Sequence, residues 1–151
     1  MGKILKPYAQ VLQGIDLSAA MLRLADQTTF YNRLYHGDFH EKLAEITQAF
    51  DLIVSADALI YAGELQSIFE KCFTQLKSDG YLMFTCEVSE LVNPYQLSQS
   101  GRYVHHPDYV NTCIVAAGFQ VTSCQTFMLR TQDDADVEGI LLTATKGIAL
   151  T

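Results

Sequence analysis

"VLQGIDLSAAMLRLADQ", residues 11–27, is a short apolar strand that ends in an aspartate and runs straight into an amphipathic helix. The apolar run places the strand at 11–16, with Asp16 at its carboxyl end. Ser18 is an N-cap residue by type, and Met21, Leu22 and Ala25 recur behind it at helical spacing, which predicts a helix over 18–27. A strand followed at once by a helix is the repeating unit of α/β folds, so the fold turns on whether the unit recurs.

It does recur. Residues 33–36 read as a second short strand, stopped by Gly37-Asp38 and followed by a helix over 41–48. "FDLIVSADAL" (50–59) opens with a strand at 50–56 whose composition suits burial on both faces. Leu65, Ile68, Phe69, Cys72, Phe73 and Leu76 predict a helix over 65–76, stopped by "KSDG" (77–80) with its C-terminal glycine. "YLMFTCE" (81–87) returns as another apolar strand. Residues 93–107 are polar and irregular, long enough for a functional loop or lid. Pro107 suits the first turn of a helix over 107–117 that ends at Gly118. Two strands follow, 119–130 and 137–146, and the short polar joint "TQDDAD" makes them an antiparallel hairpin. The expected fold is α/β: a Rossmann-like, doubly wound, mostly parallel sheet ending in that hairpin, in a single domain over 1–151.

The bulk numbers narrow the function classes. With 151 residues, 49% apolar and 18% charged, the chain suits one folded domain. A net charge of -7 without a basic cluster disfavours nucleic acid and anionic membrane surfaces as partners. Apolar runs are too short to span a bilayer, and residues 1–10 lack the apolar core of a signal peptide. The four cysteines (Cys72, Cys86, Cys113, Cys124) are scattered without a C-x-x-C pair, so they read as buried reduced thiols of a cytoplasmic protein.

Open parallel sheets bind ligands at the carboxyl ends of their strands, which directs attention to Asp16-Leu17, Gly37-Asp38-Phe39, Ala56-Asp57-Ala58 and Glu87. Asp16 can accept hydrogen bonds from both hydroxyls of a ribose, or it is an ordinary exposed strand-end acid. Asp38 can accept from an adenine amino group while the Phe39 N–H donates to a ring nitrogen; equally, it is a turn or N-cap residue. Met21 and Leu22 cover a nucleobase or belong to the core. Candidates for a general base are Asp57, Tyr61, Glu87, Tyr103, His105 and His106. Adjacent histidines point in different directions and no third ligand stands near His105-His106-Asp108, so no metal is expected. His36 and His40 read as structural, and no Cys/His nucleophile pair is evident in the spacing.

Taken together and in order, "GIDLSAAML" (14–22), "HGDF" (36–39), "FDLIVSADALIY" (50–61) and "LKSDGYLMFT" (76–85) resemble the successive motifs of class I S-adenosylmethionine-dependent methyltransferases. The nearest branch is the small-molecule, biotin/ubiquinone type, with its tetratricopeptide-linked members, which "SGRYVHHPDYVNTCIVAAGFQV" (100–121) also resembles. The resemblance covers nearly the whole chain. It implies S-adenosylmethionine as cofactor and a small-molecule acceptor. It also implies Asp16 as the ribose acid, Leu17 and Met21 beside the nucleoside, Asp38 and Phe39 at the adenine, and Ala56, Asp57 and Leu59 near the methyl group and acceptor.

The family's first motif, a strand entering a D-x-G-x-G-x-G loop, has no counterpart, and "MGKILKPYAQ" (1–10) resembles the helix and loop that come after it. In that family the first strand lies mid-sheet, between those matching 11–16 and 50–56. The resemblance therefore implies a missing strand, weak or absent cofactor binding by this chain, and self-association through exposed sheet edges. Two readings stand: a methyltransferase or a fragment of one, and a cofactor-free Rossmann-like binding or regulatory module. A nicotinamide-dependent reductase fits worse, because its glycine fingerprint is equally absent.

Overall fold

Residues 1–132 and 135–147 are described by a computed structural model. In chain order the elements are α1 (Gly2–Leu5), β1 (Gln13–Asp16), α2 (Ala19–Gln27), β2 (Arg33–His36), α3 (Phe39–Glu45), β3 (Phe50–Ser55), α4 (Gln66–Gln75), β4 (Leu76–Glu87), β5 (Tyr95–Leu97), β6 (Tyr103–His105), α5 (Pro107–Ala116), β7 (Gln120–Gln132) and β8 (Ala135–Thr145). Single 3-10 turns occupy Lys6–Tyr8 and Leu59–Tyr61. The chain divides into two compact units, Met1–Thr47 and Gln48–Thr151.

In the first unit β1 and β2 pair in parallel, with Gln13 opposite Arg33 and Asp16 opposite His36. Asn32 sets this register: its backbone N–H donates to Leu12 O (2.7 Å) and its side-chain Oδ1 accepts from Leu12 N (2.9 Å). Gly14 has a packing reason. A Cβ there would meet Leu34 Cδ2 at 3.0 Å and Tyr31 Cε1 at 3.2 Å. Ser18 caps α2 as its residue type predicts, accepting from Met21 N at 3.3 Å.

The second unit is built on a four-stranded sheet ordered β3-β4-β8-β7. β3 and β4 are parallel, whereas β4–β8 and β7–β8 are antiparallel. On β4, Leu82, Phe84 and Cys86 point to one face, each opposite a buried residue of β8: Ala144, Leu142 and Ile140. α4 buries Ile68, Phe69 and Cys72, and α5 buries Val110, Cys113 and Ile114. Phe69 lies 5.0 Å from Phe84, ring centre to ring centre. Gly118 ends α5 with φ +99, the left-handed conformation that favours glycine, and Phe119 packs edge-on against Phe73 at 5.1 Å.

The α/β fold and the closing hairpin stand as the sequence implies, and several details differ. The sheet is mixed rather than mostly parallel. β1 and β3 belong to separate sheets, because no described strand hydrogen-bonds to both. "KSDG" does not end α4 by a left-handed glycine. The residue with positive φ is Asp79 (+63), and Lys77–Gly80 is a bulge between the Phe50–Leu76 and Leu52–Tyr81 pairings. The irregular stretch 93–107 contains a small hairpin, β5–β6, with Tyr95 opposite His105. Cys124 is exposed on β7, an edge strand, whereas the other three thiols are buried.

Phe84→Ala removes a fully buried ring from the central strand and should cost about 3–5 kcal/mol. Urea denaturation of the variant would show this as a lower midpoint with an unchanged slope.

Candidate functional site

Residues at the carboxyl ends of β1 and β2 gather within the first unit. Parallel pairing brings Asp16 and His36 side by side, and the Gly37 N–H donates to Asp16 O at 3.1 Å. One carboxylate oxygen of Asp16 accepts from Ser18 N at 2.7 Å, which fixes the side chain without a cationic partner among the described residues. His36 Nε2 donates to Leu17 O at 3.0 Å and pins the same turn. Leu17 and Met21 are 62% and 54% exposed, so neither is a core residue. The turn after β1 thus carries an oriented carboxylate, followed by exposed Leu17 and Met21.

Asp38 is an N-cap. Its Oδ1 accepts from His40 N at 2.9 Å and Glu41 N at 3.3 Å, so α3 starts earlier than the spacing predicts. The Phe39 N–H at the helix start lies outside this cap, as does the second oxygen of Asp38. Capping and nucleobase recognition are therefore compatible in one side chain.

In the second unit the segment after β3 carries the other candidates. Asp57 has φ +56, a conformation that aspartate tolerates better than most residues, and its amide donates to Thr85 Oγ1 at 2.9 Å. Ala56 and Asp57 are exposed. In the 3-10 turn that follows, Leu59 and Ile60 are buried and Tyr61 is 66% exposed. Leu59 is thus a core anchor. Tyr61 is the side chain that the turn presents.

His105 is not presented to solvent at all: its relative exposure is 0%. Nε2 lies 2.9 Å from Ala62 O and 3.1 Å from Gly63 O, while Nδ1 lies 3.3 Å from Cys86 Sγ. Carbonyls only accept, so Nε2 carries the proton, while the Cys86 thiol beside Nδ1 also donates to Glu87 O at 3.6 Å. Burial pushes the imidazole below its ordinary range, partly offset by the carbonyl hydrogen bonds and by Glu87. Burial likewise raises the Cys86 thiol to about 12, so it is a hydrogen-bond donor and no nucleophile. Tyr109, whose hydroxyl accepts from Leu65 N at 3.0 Å, stacks parallel to His105, and Tyr95 packs on both rings. His106 caps α5, with Nδ1 accepting from Asp108 N at 3.1 Å. Glu87 is buried at the end of β4.

The pairing of Cys86 with His105 has no local signal in the sequence, because 19 residues and a hairpin separate them. Tyr95 and Tyr109 are illegible there for the same reason. No group of three His, Cys, Asp or Glu side chains among the described residues is arranged to hold a metal ion. No helix among them is long and apolar enough to cross a membrane.

A family model described as a methyltransferase domain matches residues 4–138, a span that runs through both units. Malonyl-[acyl-carrier protein] O-methyltransferase of Legionella pneumophila is 29% identical over 126 residues, covering 77% of this chain and 44% of the relative. The chain therefore spans less than half the length of that protein. A solved S-adenosylmethionine-dependent methyltransferase from Methanosarcina mazei superposes with a TM-score of 0.73 over 99% of this chain and 88% of its own, at 15% identity. The N-methyltransferase NodS of Bradyrhizobium japonicum, bound to S-adenosyl-L-homocysteine, gives 0.71 over 95% and 70% at 18% identity. At these identities the structural likeness speaks for the fold.

The lowered His105 pKa has a sign. Its stabilising contribution is complete above the ordinary imidazole value of 6.5 and is lost as pH falls through the lower folded value. Urea midpoints measured from pH 7.5 down to 5 should fall more steeply for the parent chain than for His105→Gln. Parallel curves would assign the acid sensitivity to other groups.

Proposed function

The chain belongs to the methyltransferase domain family, the class I S-adenosylmethionine-dependent enzymes, and on that premise we propose that it takes part in methyl transfer to a small-molecule acceptor. In this reading the two compact units are one methyltransferase domain, a view supported by a family match that runs through both. The observation that carries the cofactor assignment is Asp16. It is a half-buried strand-end carboxylate held by Ser18 N, with exposed Leu17 and Met21 beside it. Asp16 would accept from the ribose hydroxyls, Met21 and Leu17 would cover the nucleoside, and Asp38 with the Phe39 N–H would address the adenine edge. S-adenosylmethionine, when bound, supplies an electrophilic methyl group on a sulfonium.

The chain's own residues then have to hold the acceptor and take its proton. Ala56, exposed just after β3, would lie beside the methyl group of the cofactor. Asp57 is the candidate base, since it is exposed and its backbone is tied to Thr85. Tyr61 is the candidate orienting hydroxyl. His105 is not assigned a proton-transfer role, because both of its ring nitrogens are already engaged. The relative's activity on a malonyl group carried by an acyl-carrier protein supports a small carboxylate-bearing acceptor as the first to try. Three buried free thiols support a reducing, cytoplasmic location.

No G-x-G loop occurs in this sequence, and on that ground this chain alone is expected to bind the cofactor weakly. Titration with S-adenosylhomocysteine, followed by amide NMR shifts, should perturb Asp16, Leu17, Met21, Asp38 and Phe39 first. Asp16→Ala should weaken that binding by about 1–3 kcal/mol, the cost of leaving ribose hydroxyls unpaired. Shifts confined to other residues would retract the assignment. Once an acceptor is found, Asp57→Asn should slow turnover by about 10²–10⁴-fold if Asp57 is the base.

A further inference from the structure

We propose that His105 is a positioning residue that fixes the turn bearing Asp57 and Tyr61 by fastening it to the β5–β6 hairpin. The segment 57–65 is exposed at Asp57 and Tyr61 but is tied at three points. Asp57 N donates to Thr85 on β4, Leu65 N donates to Tyr109 on α5, and between them the Ala62 and Gly63 carbonyls both accept from His105 Nε2. Two of the three ties come from side chains in or just after the hairpin. The hairpin is itself anchored: Ser89 N donates to His105 O at 3.0 Å, and His106 N donates to Pro94 O at 2.8 Å.

The seating is close. A Cβ on Gly63 would fall 2.6 Å from Tyr95 Cε2 and 2.8 Å from Tyr103 Cε1, so these rings rest directly on the backbone that His105 holds. Cys86 completes the arrangement from β4. Its Sγ lies 3.3 Å from Nδ1, so the edge of the ring away from the carbonyls is also held. A bifurcated bond to two successive carbonyls fixes the orientation of both peptide planes, and hence the direction in which the preceding Tyr61 projects. The functional meaning of this tie rests on the methyl-transfer reading above, in which Tyr61 and Asp57 face the acceptor.

The chain contains no tryptophan, so Tyr61→Trp gives a single indole fluorophore on the turn. In that background His105→Ala should lower the fluorescence anisotropy of the introduced indole. It should also speed amide hydrogen exchange across 62–65 by at least about tenfold relative to the rest of the sheet. His105→Gln, which keeps a donor able to reach the carbonyls, should restore both readings. Leu142→Ala, a cavity in the same unit, should lower global stability without this local loosening. If His105→Ala does not fold, His105→Gln and His105→Asn are compared, and only the longer amide should hold the turn.

Unchanged anisotropy and exchange in His105→Ala, or equal loosening in Leu142→Ala, would overturn the proposal. So would equal readings for His105→Gln and His105→Asn. None of these measurements needs cofactor or acceptor. A chain that shows the tie but fails to bind S-adenosylhomocysteine retracts the methyl-transfer reading alone.

Discussion

The register of β4 between β3 and β8 is the constraint on which the second unit depends. It sets Leu82, Phe84 and Cys86 opposite Ala144, Leu142 and Ile140, so the two strands present one continuous apolar face. A slip of one residue would turn that face outward and bring Met83 and Thr85 inward. The same register decides where the polar groups go. It aims the Thr85 hydroxyl at the Asp57 amide and puts the Cys86 thiol within reach of His105. Core packing and site geometry are thus fixed by one set of hydrogen bonds.

The two units use their polar groups differently. In the first, short strands and Asx-type turns hold Asp16 and Asp38 by local bonds to Ser18, His40 and Glu41, each within three residues. Such turns are specified locally and survive small shifts elsewhere. In the second, the ties to the 57–65 segment join residues 28 to 44 positions apart. They form only when the hairpin, α5 and β4 are all in place. This long-range dependence makes the segment sensitive to remote substitutions. It also gives the buried imidazole a consequence beyond its own packing.

The family places the chain among methyltransferases, but the fold by itself does not select an acceptor, because one α/β scaffold serves many chemistries through its strand-end residues. Here those residues are acids, tyrosines and small side chains without a metal cluster among the described residues. His105, a natural suspect by residue type, is withdrawn from that role by burial and by the occupation of both its nitrogens.

The sequence by itself determined the βα alternation, the closing hairpin, the Ser18 cap and the positions of Asp16, Asp38 and Asp57 at strand ends, because periodicity, capping and turn chemistry act over a few residues. It resolved the nature of Gly37-Asp38 only to a choice, since one carboxylate can cap a helix and still meet a ligand. Only the tertiary structure decided that β1–β2 and β3–β4–β8–β7 are separate hydrogen-bonded sheets, that 95–105 is a hairpin and that Leu59 is core while Tyr61 is exposed. It alone brought His105 to Cys86 and to the Ala62 and Gly63 carbonyls. Those outcomes depend on which strand edges meet and which side chains are left to pair once water is excluded, and neither is encoded in local spacing.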